Sequence, residues 1–72
     1  VILNIEIFKT NIQQHKDAER IAQKIQSFFP DATISFDLED CDRILRVMTQ
    51  TNDLNKVPEL IKQNGFECEV LL

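Results

Sequence analysis

Thr33-Ile34-Ser35-Phe36-Asp37-Leu38-Glu39-Asp40-Cys41-Asp42-Arg43-Ile44-Leu45-Arg46-Val47-Met48-Thr49 is the stretch that decides the fold. Its first part alternates, with Ile34, Phe36 and Leu38 on one side and Thr33, Ser35 and Asp37 on the other. A period of two is the signature of a half-buried strand. Glu39, Asp40, Cys41 and Asp42 then break the alternation with acidic turn formers. From Arg43 to Thr49 it resumes, setting Leu45 and Val47 against Ile44, Arg46 and Met48. The short interruption predicts a hairpin, although the Asn-Gly dipeptide that marks the tightest hairpins is missing.

Working outward, both flanks change period. Over residues 14–29, Ala18, Ile21, Ala22, Ile25, Phe28 and Phe29 recur at three and four residues, with charged and amide side chains opposite. That spacing predicts an amphipathic helix, stopped by Pro30 because its ring disfavours the helical region at Phe29. Downstream, Leu54, Val57, Leu60 and Ile61 form a second apolar stripe. This helix is expected to begin between Asn52 and Asn55, with Asn55 the better cap because Pro58 then falls in the first turn. Asn64-Gly65 is its predicted left-handed stop.

The outermost segments alternate again. Val1, Leu3, Ile5 and Ile7 share one face of a strand, with Ile2, Asn4, Glu6 and Phe8 on the other. In the last segment, Phe66, Cys68 and Val70 oppose Glu67 and Glu69. The order strand-helix-strand-strand-helix-strand predicts an α+β fold, a ferredoxin-like βαββαβ sandwich. Two helices cover one face of a four-stranded antiparallel sheet ordered 4-1-3-2.

Seventy-two residues make one domain, spanning 1–72, and the single Gly and two Pro leave no linker. The net charge of −4 argues against nucleic acid or an anionic membrane as partner, since either calls for an excess of Lys and Arg. No apolar run approaches the roughly 20 residues of a membrane span. Two cysteines are too few for a disulfide framework, so reduced thiols and a cytoplasmic location are expected. The chain opens on Val1 rather than Met, which leaves room for an upstream segment.

The closing stretch Val57-Pro58-Glu59-Leu60-Ile61-Lys62-Gln63-Asn64-Gly65-Phe66-Glu67-Cys68-Glu69-Val70-Leu71 resembles the end of heavy-metal-associated domains, the modules of copper chaperones and metal-transporting ATPases. In that family a helix ends at Gly-Tyr or Gly-Phe and an acidic-apolar strand follows. Length and element order also match, so the resemblance covers nearly the whole chain. It implies a metal loop between first strand and first helix, where the family carries Met-Thr-Cys-x-x-Cys. Here the loop reads Lys9-Thr10-Asn11-Ile12-Gln13-Gln14, with Asn11 and Gln14 at the two cysteine places. Neutral amides bind a soft ion such as Cu(I) poorly. No cofactor is therefore expected, and copper transport would be fold analogy without a site.

Other constellations are few. The topology brings Asn11, Gln14 and His15 toward Asp40, Cys41, Asp42 and Asn64, so a degenerate site for Zn or Cu is weighed at His15, Cys41, Asp40 and Asp42. The competing reading is a solvated acidic turn beside a surface histidine. Cys68 shares its register with Phe66 and Val70 and is expected to be a buried, inert thiol. No nucleophile stands at a meaningful spacing from the single His, and no phosphate-cradling Gly-rich loop is present, so no enzyme is expected. The sheet face away from the helices is expected to carry Ile2, Phe8, Ile44, Met48 and Leu71 among Glu6, Arg46, Glu67 and Glu69. A half-apolar open face suits a protein partner or a homo-oligomer. The sequence thus predicts a non-catalytic binding domain, with a metal- or small-ligand-sensing domain as the alternative.

Overall fold

Helix α1, His15–Phe28, forms because Ala18, Ile21 and Ile25 line one side and are buried together. Its start is extended at Gln14, whose carbonyl accepts the Asp17 and Ala18 amides. At its end the Phe29 N–H still reaches Ile25 O (2.9 Å), and Gln26 Nε2 donates to Pro30 O (3.0 Å) and Ala32 O (2.9 Å). The first continues the helix ladder by one residue, and the other two hold carbonyls of the turn that follows it. Phe28 is a correction to its expected place on the apolar stripe: it is 63% exposed, whereas Phe29 is buried. Two neighbouring aromatics at a helix end cannot both face the core, and the chain leaves helical geometry at Phe29 to turn that ring inward.

The computed structural model describes residues 3–39, 41–50 and 53–71. Strands β1 (Asn4–Thr10), β2 (Thr33–Asp37), β3 (Ile44–Thr49) and β4 (Cys68–Val70) alternate with α1 and α2 (Lys56–Gln63) as β1-α1-β2-β3-α2-β4. They form one antiparallel sheet ordered β2-β3-β1-β4, the predicted order read from its other edge. Ala18, Ile21 and Ile25 of α1 and Val57 and Ile61 of α2 join Phe8, Leu45, Val47 and Cys68 in one core. The arrangement is α+β and compatible with a ferredoxin-like sandwich. Gly65 ends α2 with φ +89°, the left-handed geometry the Asn-Gly pair predicts. Asn55 precedes α2 but makes no side-chain cap bond, and Asn52, the other cap candidate, lies outside the described residues.

The main correction concerns β1. Phe8, expected on the open face, is wholly buried, while Ile5, expected inside, is 56% exposed. Pairing with β3 fixes this: Phe8 stands opposite Leu45 and Glu6 opposite Val47, both residues whose side chains point to the helices. A slip of one residue would exchange the faces entirely. The inward set continues as Phe8, Thr10 and Ile12, all buried, although Ile12 lies beyond the strand. The two helices offer mostly aliphatic and small side chains, and Phe8 is buried in the core with them.

Candidate functional site

The loop end of the domain comes together as the element order predicts. Thr10 N–H donates to Asp42 O (3.1 Å) and Thr10 Oγ1 donates to Arg43 O (2.7 Å), so two consecutive hairpin residues close against one residue of β1. Lys9 Nζ lies 3.7 Å from Asp42 Oδ1. Asn11 Oδ1 accepts the Glu67 N–H (2.8 Å), tying the first loop to the approach of β4. Arg43, at φ 49°, sits in the left-handed region where a Cβ is unfavourable, and its guanidinium donates to Leu38 O.

These bonds bear directly on the expected metal loop. Asn11 has its oxygen engaged, and Gln14 is exposed and extended before α1. His15 opens α1 and is exposed, Cys41 is exposed in the hairpin, and Asn64 donates to Leu60 O (2.7 Å). Asp40 lies outside the described residues. Among the described residues no three of His, Cys, Asp or Glu gather in a way that could hold an ion. The second cysteine, Cys68, is buried, and burial pushes its thiol up to about 11, so it stays protonated at neutral pH. An open cleft of about 440 Å³ lies at this end, between Lys9, Asn11, Lys62, Glu67 and Glu69. Its two cations are matched by two anions, and they do not converge on one charge.

The open face of the sheet differs from its expected composition. Register places Thr33, Met48 and Ile5 in one row and Ser35, Arg46 and Ile7 in the next. Asp37, Ile44, Lys9 and Glu69 make the third. Leu71 N–H donates to Ile7 O (2.8 Å), which sets Leu71 beside Ile7 at the end of the middle row. Leu3 and Ile5 are more than half exposed and Leu71 is 37% exposed, with Ile7 and Met48 partly covered beside them. Apolar side chains thus crowd the start of β1 and charges collect toward the loops. Glu6 and Phe8 do not belong to this face, and Ile2 lies outside the described residues. The missed signal was the alternation Phe8-Thr10-Ile12, which runs on past the strand and marks the inward side.

No family model matches the chain, nor does any curated protein or solved structure. The likeness to heavy-metal-associated domains therefore stands on element order and the closing stretch alone. Among the described residues no helix is long and apolar enough to cross a membrane.

Proposed function

We propose that this chain is a non-catalytic binding domain, laid out like heavy-metal-associated domains without their cysteine pair, that engages a protein partner through its open sheet face. One observation carries the reading: Leu3, Ile5 and Leu71 are exposed together on a face that no other described element covers. Contiguous apolar surface rimmed by charge is the usual character of an interaction site.

Charge favours a partner other than a second copy on this face. Stacking two copies about a two-fold axis along the strands sets β2 over β4, so Asp37 meets Glu69 of the other copy in the same row. An axis along the middle row instead sets Arg46 on Arg46. A partner with an apolar ridge and an acid opposite Arg46 meets neither conflict. Free Cys41 and Cys68 suit a reducing compartment, and cytoplasmic residence is part of the same proposal.

The test is site-specific photo-crosslinking in the host cell, with the probe at Ile5, at Leu71, or at Glu19 on the exposed side of α1. The expected result is one adduct of the same mass from Ile5 and Leu71 and none from Glu19. Equal labelling from all three sites, or none from either sheet position, overturns the reading.

A further inference from the structure

Among the described residues, the outer edge of β2 carries a short window of backbone groups without a hydrogen-bond partner, and its limits follow from hydrogen-bond alternation. In an antiparallel ladder the N–H and C=O of one residue point to the same neighbour, and successive residues point to opposite neighbours. Leu71 N–H bonds Ile7 O, so Ile7 faces β4 and its neighbours Glu6 and Phe8 face β3. Their partners Val47 and Leu45 therefore face β1, which leaves Met48, Arg46 and Ile44 facing β2. Across from those stand Thr33, Ser35 and Asp37. The even-numbered residues of β2 then direct their backbone groups outward, where the sheet ends.

Both ends of that outward row are occupied by the protein itself. Ala32 N–H donates to Phe29 O (2.9 Å), and its carbonyl accepts Gln26 Nε2. The Leu38 carbonyl accepts the Arg43 guanidinium. Ile34 and Phe36 remain, with two N–H and two C=O groups between them. Strand edges are ordinarily protected by Lys, Pro, bulges or brevity. Residues 33–37 hold no Lys, Pro or Gly, and their register with β3 runs unbroken from Thr33↔Met48 to Asp37↔Ile44. The opposite edge, β4, is only three residues long and bears Glu69.

We propose that two copies of this chain pair edge to edge through β2, antiparallel about a two-fold axis at Ser35. Ile34 of each copy then exchanges both backbone bonds with Phe36 of the second copy, and all four open groups are satisfied. Shifting the strands by two residues in either direction recruits Ala32 or Leu38, whose carbonyls are already taken. The chosen register alone uses the whole window. It also sets Thr33 opposite Asp37 of the second copy, so no like charges meet within the strand. The half-buried Ile34 and Phe36 side chains cover one another on the helix side of the joined sheet. Beyond the strand, Glu39 approaches Asp31 of the second copy, and each chain carries a net charge of −4. Added salt therefore strengthens the association.

Sedimentation equilibrium on the purified chain, with increasing protein and salt, tests this with two variants of identical charge change. Ser35→Lys sets like charges on each other at the axis, whereas Thr33→Lys sets a cation opposite Asp37. The first is expected to weaken and the second to strengthen the dimer, each by roughly two- to fivefold. Circular dichroism checks that both exposed positions leave the fold intact. Independently, Ser35→Cys in a Cys41→Ser background is expected to give a disulfide-linked dimer on mild oxidation, because cross-strand partners there stand about 4.5 Å apart at Cα. Thr33→Cys is expected not to, since its counterpart lies about 14 Å along the strand. A monomer at every concentration and salt, both lysines acting alike, or equal cross-linking at both cysteines overturns the proposal.

Discussion

Truncating Phe8 and Ile5 in turn gives opposite outcomes depending on which face of β1 is buried. Phe8 is wholly buried and Ile5 is 56% exposed. Removing a buried ring to alanine costs about 3–5 kcal/mol, because the transfer free energy is lost and a cavity remains. A chain of this length has a total stability on the order of 4–11 kcal/mol, so Phe8→Ala lies at the margin of folding. Phe8→Leu, at about 1–2 kcal/mol, keeps the comparison measurable if the alanine variant fails to fold. Fully burying an isoleucine side chain is worth about 1.5–3 kcal/mol, and more than half of Ile5 remains in water, so Ile5→Ala is expected to cost about 1 kcal/mol or less. Urea denaturation followed by circular dichroism reads these values directly. In thermal melts each kcal/mol corresponds to about 4–8 °C at this size. If Ile5→Ala destabilises as much as Phe8→Ala, or more than Phe8→Leu, the register of β1 given above is wrong.

Three further outcomes follow from single contacts. The Asp31 carboxylate accepts the Gln50 amide (2.8 Å) and the Thr49 hydroxyl (2.7 Å), and those bonds hold its pKa below the ordinary value. A depressed carboxyl stabilises the fold above its unfolded pKa and loses that contribution as pH falls through the folded one. Asp31→Asn should therefore lower stability at neutral pH and flatten the acid limb of a melting-temperature profile; an unchanged acid limb counts against the contact. With a thiol reagent at mildly alkaline pH, exposed Cys41 should react quickly and Cys68, its thiol pushed up to about 11 by burial, only on unfolding. Two equally fast thiols would contradict its place in the core. Arg43→Gly should be nearly neutral, since relief of the left-handed φ, about 1 kcal/mol, offsets the lost bond to Leu38 O. Arg43→Val, β-branched at that φ, should cost about 1–3 kcal/mol in the same denaturation assay.

Where periodicity was decided locally, the sequence was readable. The stripe of Ala18, Ile21 and Ile25, the alternation of β2 and β3 and the turn at Gly65 each follow from spacing within a few residues, and the structure keeps all of them. β1 was not readable in that way. Leu3, Ile5 and Ile7 make its odd face the more aliphatic, and only pairing with residues some forty positions away shows that Phe8 turns inward. Phe28 and Phe29 pose the same difficulty at a helix end, where the last helical residue and the first non-helical one point apart. At the loop end the chain showed which segments would meet, but not that Asn11 would accept the Glu67 amide 56 positions on. Side-chain bonds of that separation leave no pattern in the order of residues.

The loop end and the open face also differ in what folding requires of them. At the loops, Thr10, Asn11 and Arg43 each hold a backbone group of a neighbouring segment, and Asn64 holds the Leu60 carbonyl of its own helix, so their polarity is explained by the fold. The amide oxygen of Asn11, for example, accepts the Glu67 N–H and so joins the first loop to the approach of β4. The open face has no such explanation. A threonine at position 5 or a lysine at position 71 would serve β1 and its pairing as well as the apolar residues do, because strand propensity and backbone bonding do not depend on an exposed aliphatic tip. Leaving Leu3, Ile5 and Leu71 in water forgoes burial worth about 25 cal/mol for each Å² of apolar area. A partner surface of the kind proposed would recover that burial and account for three apolar side chains that strand pairing does not require.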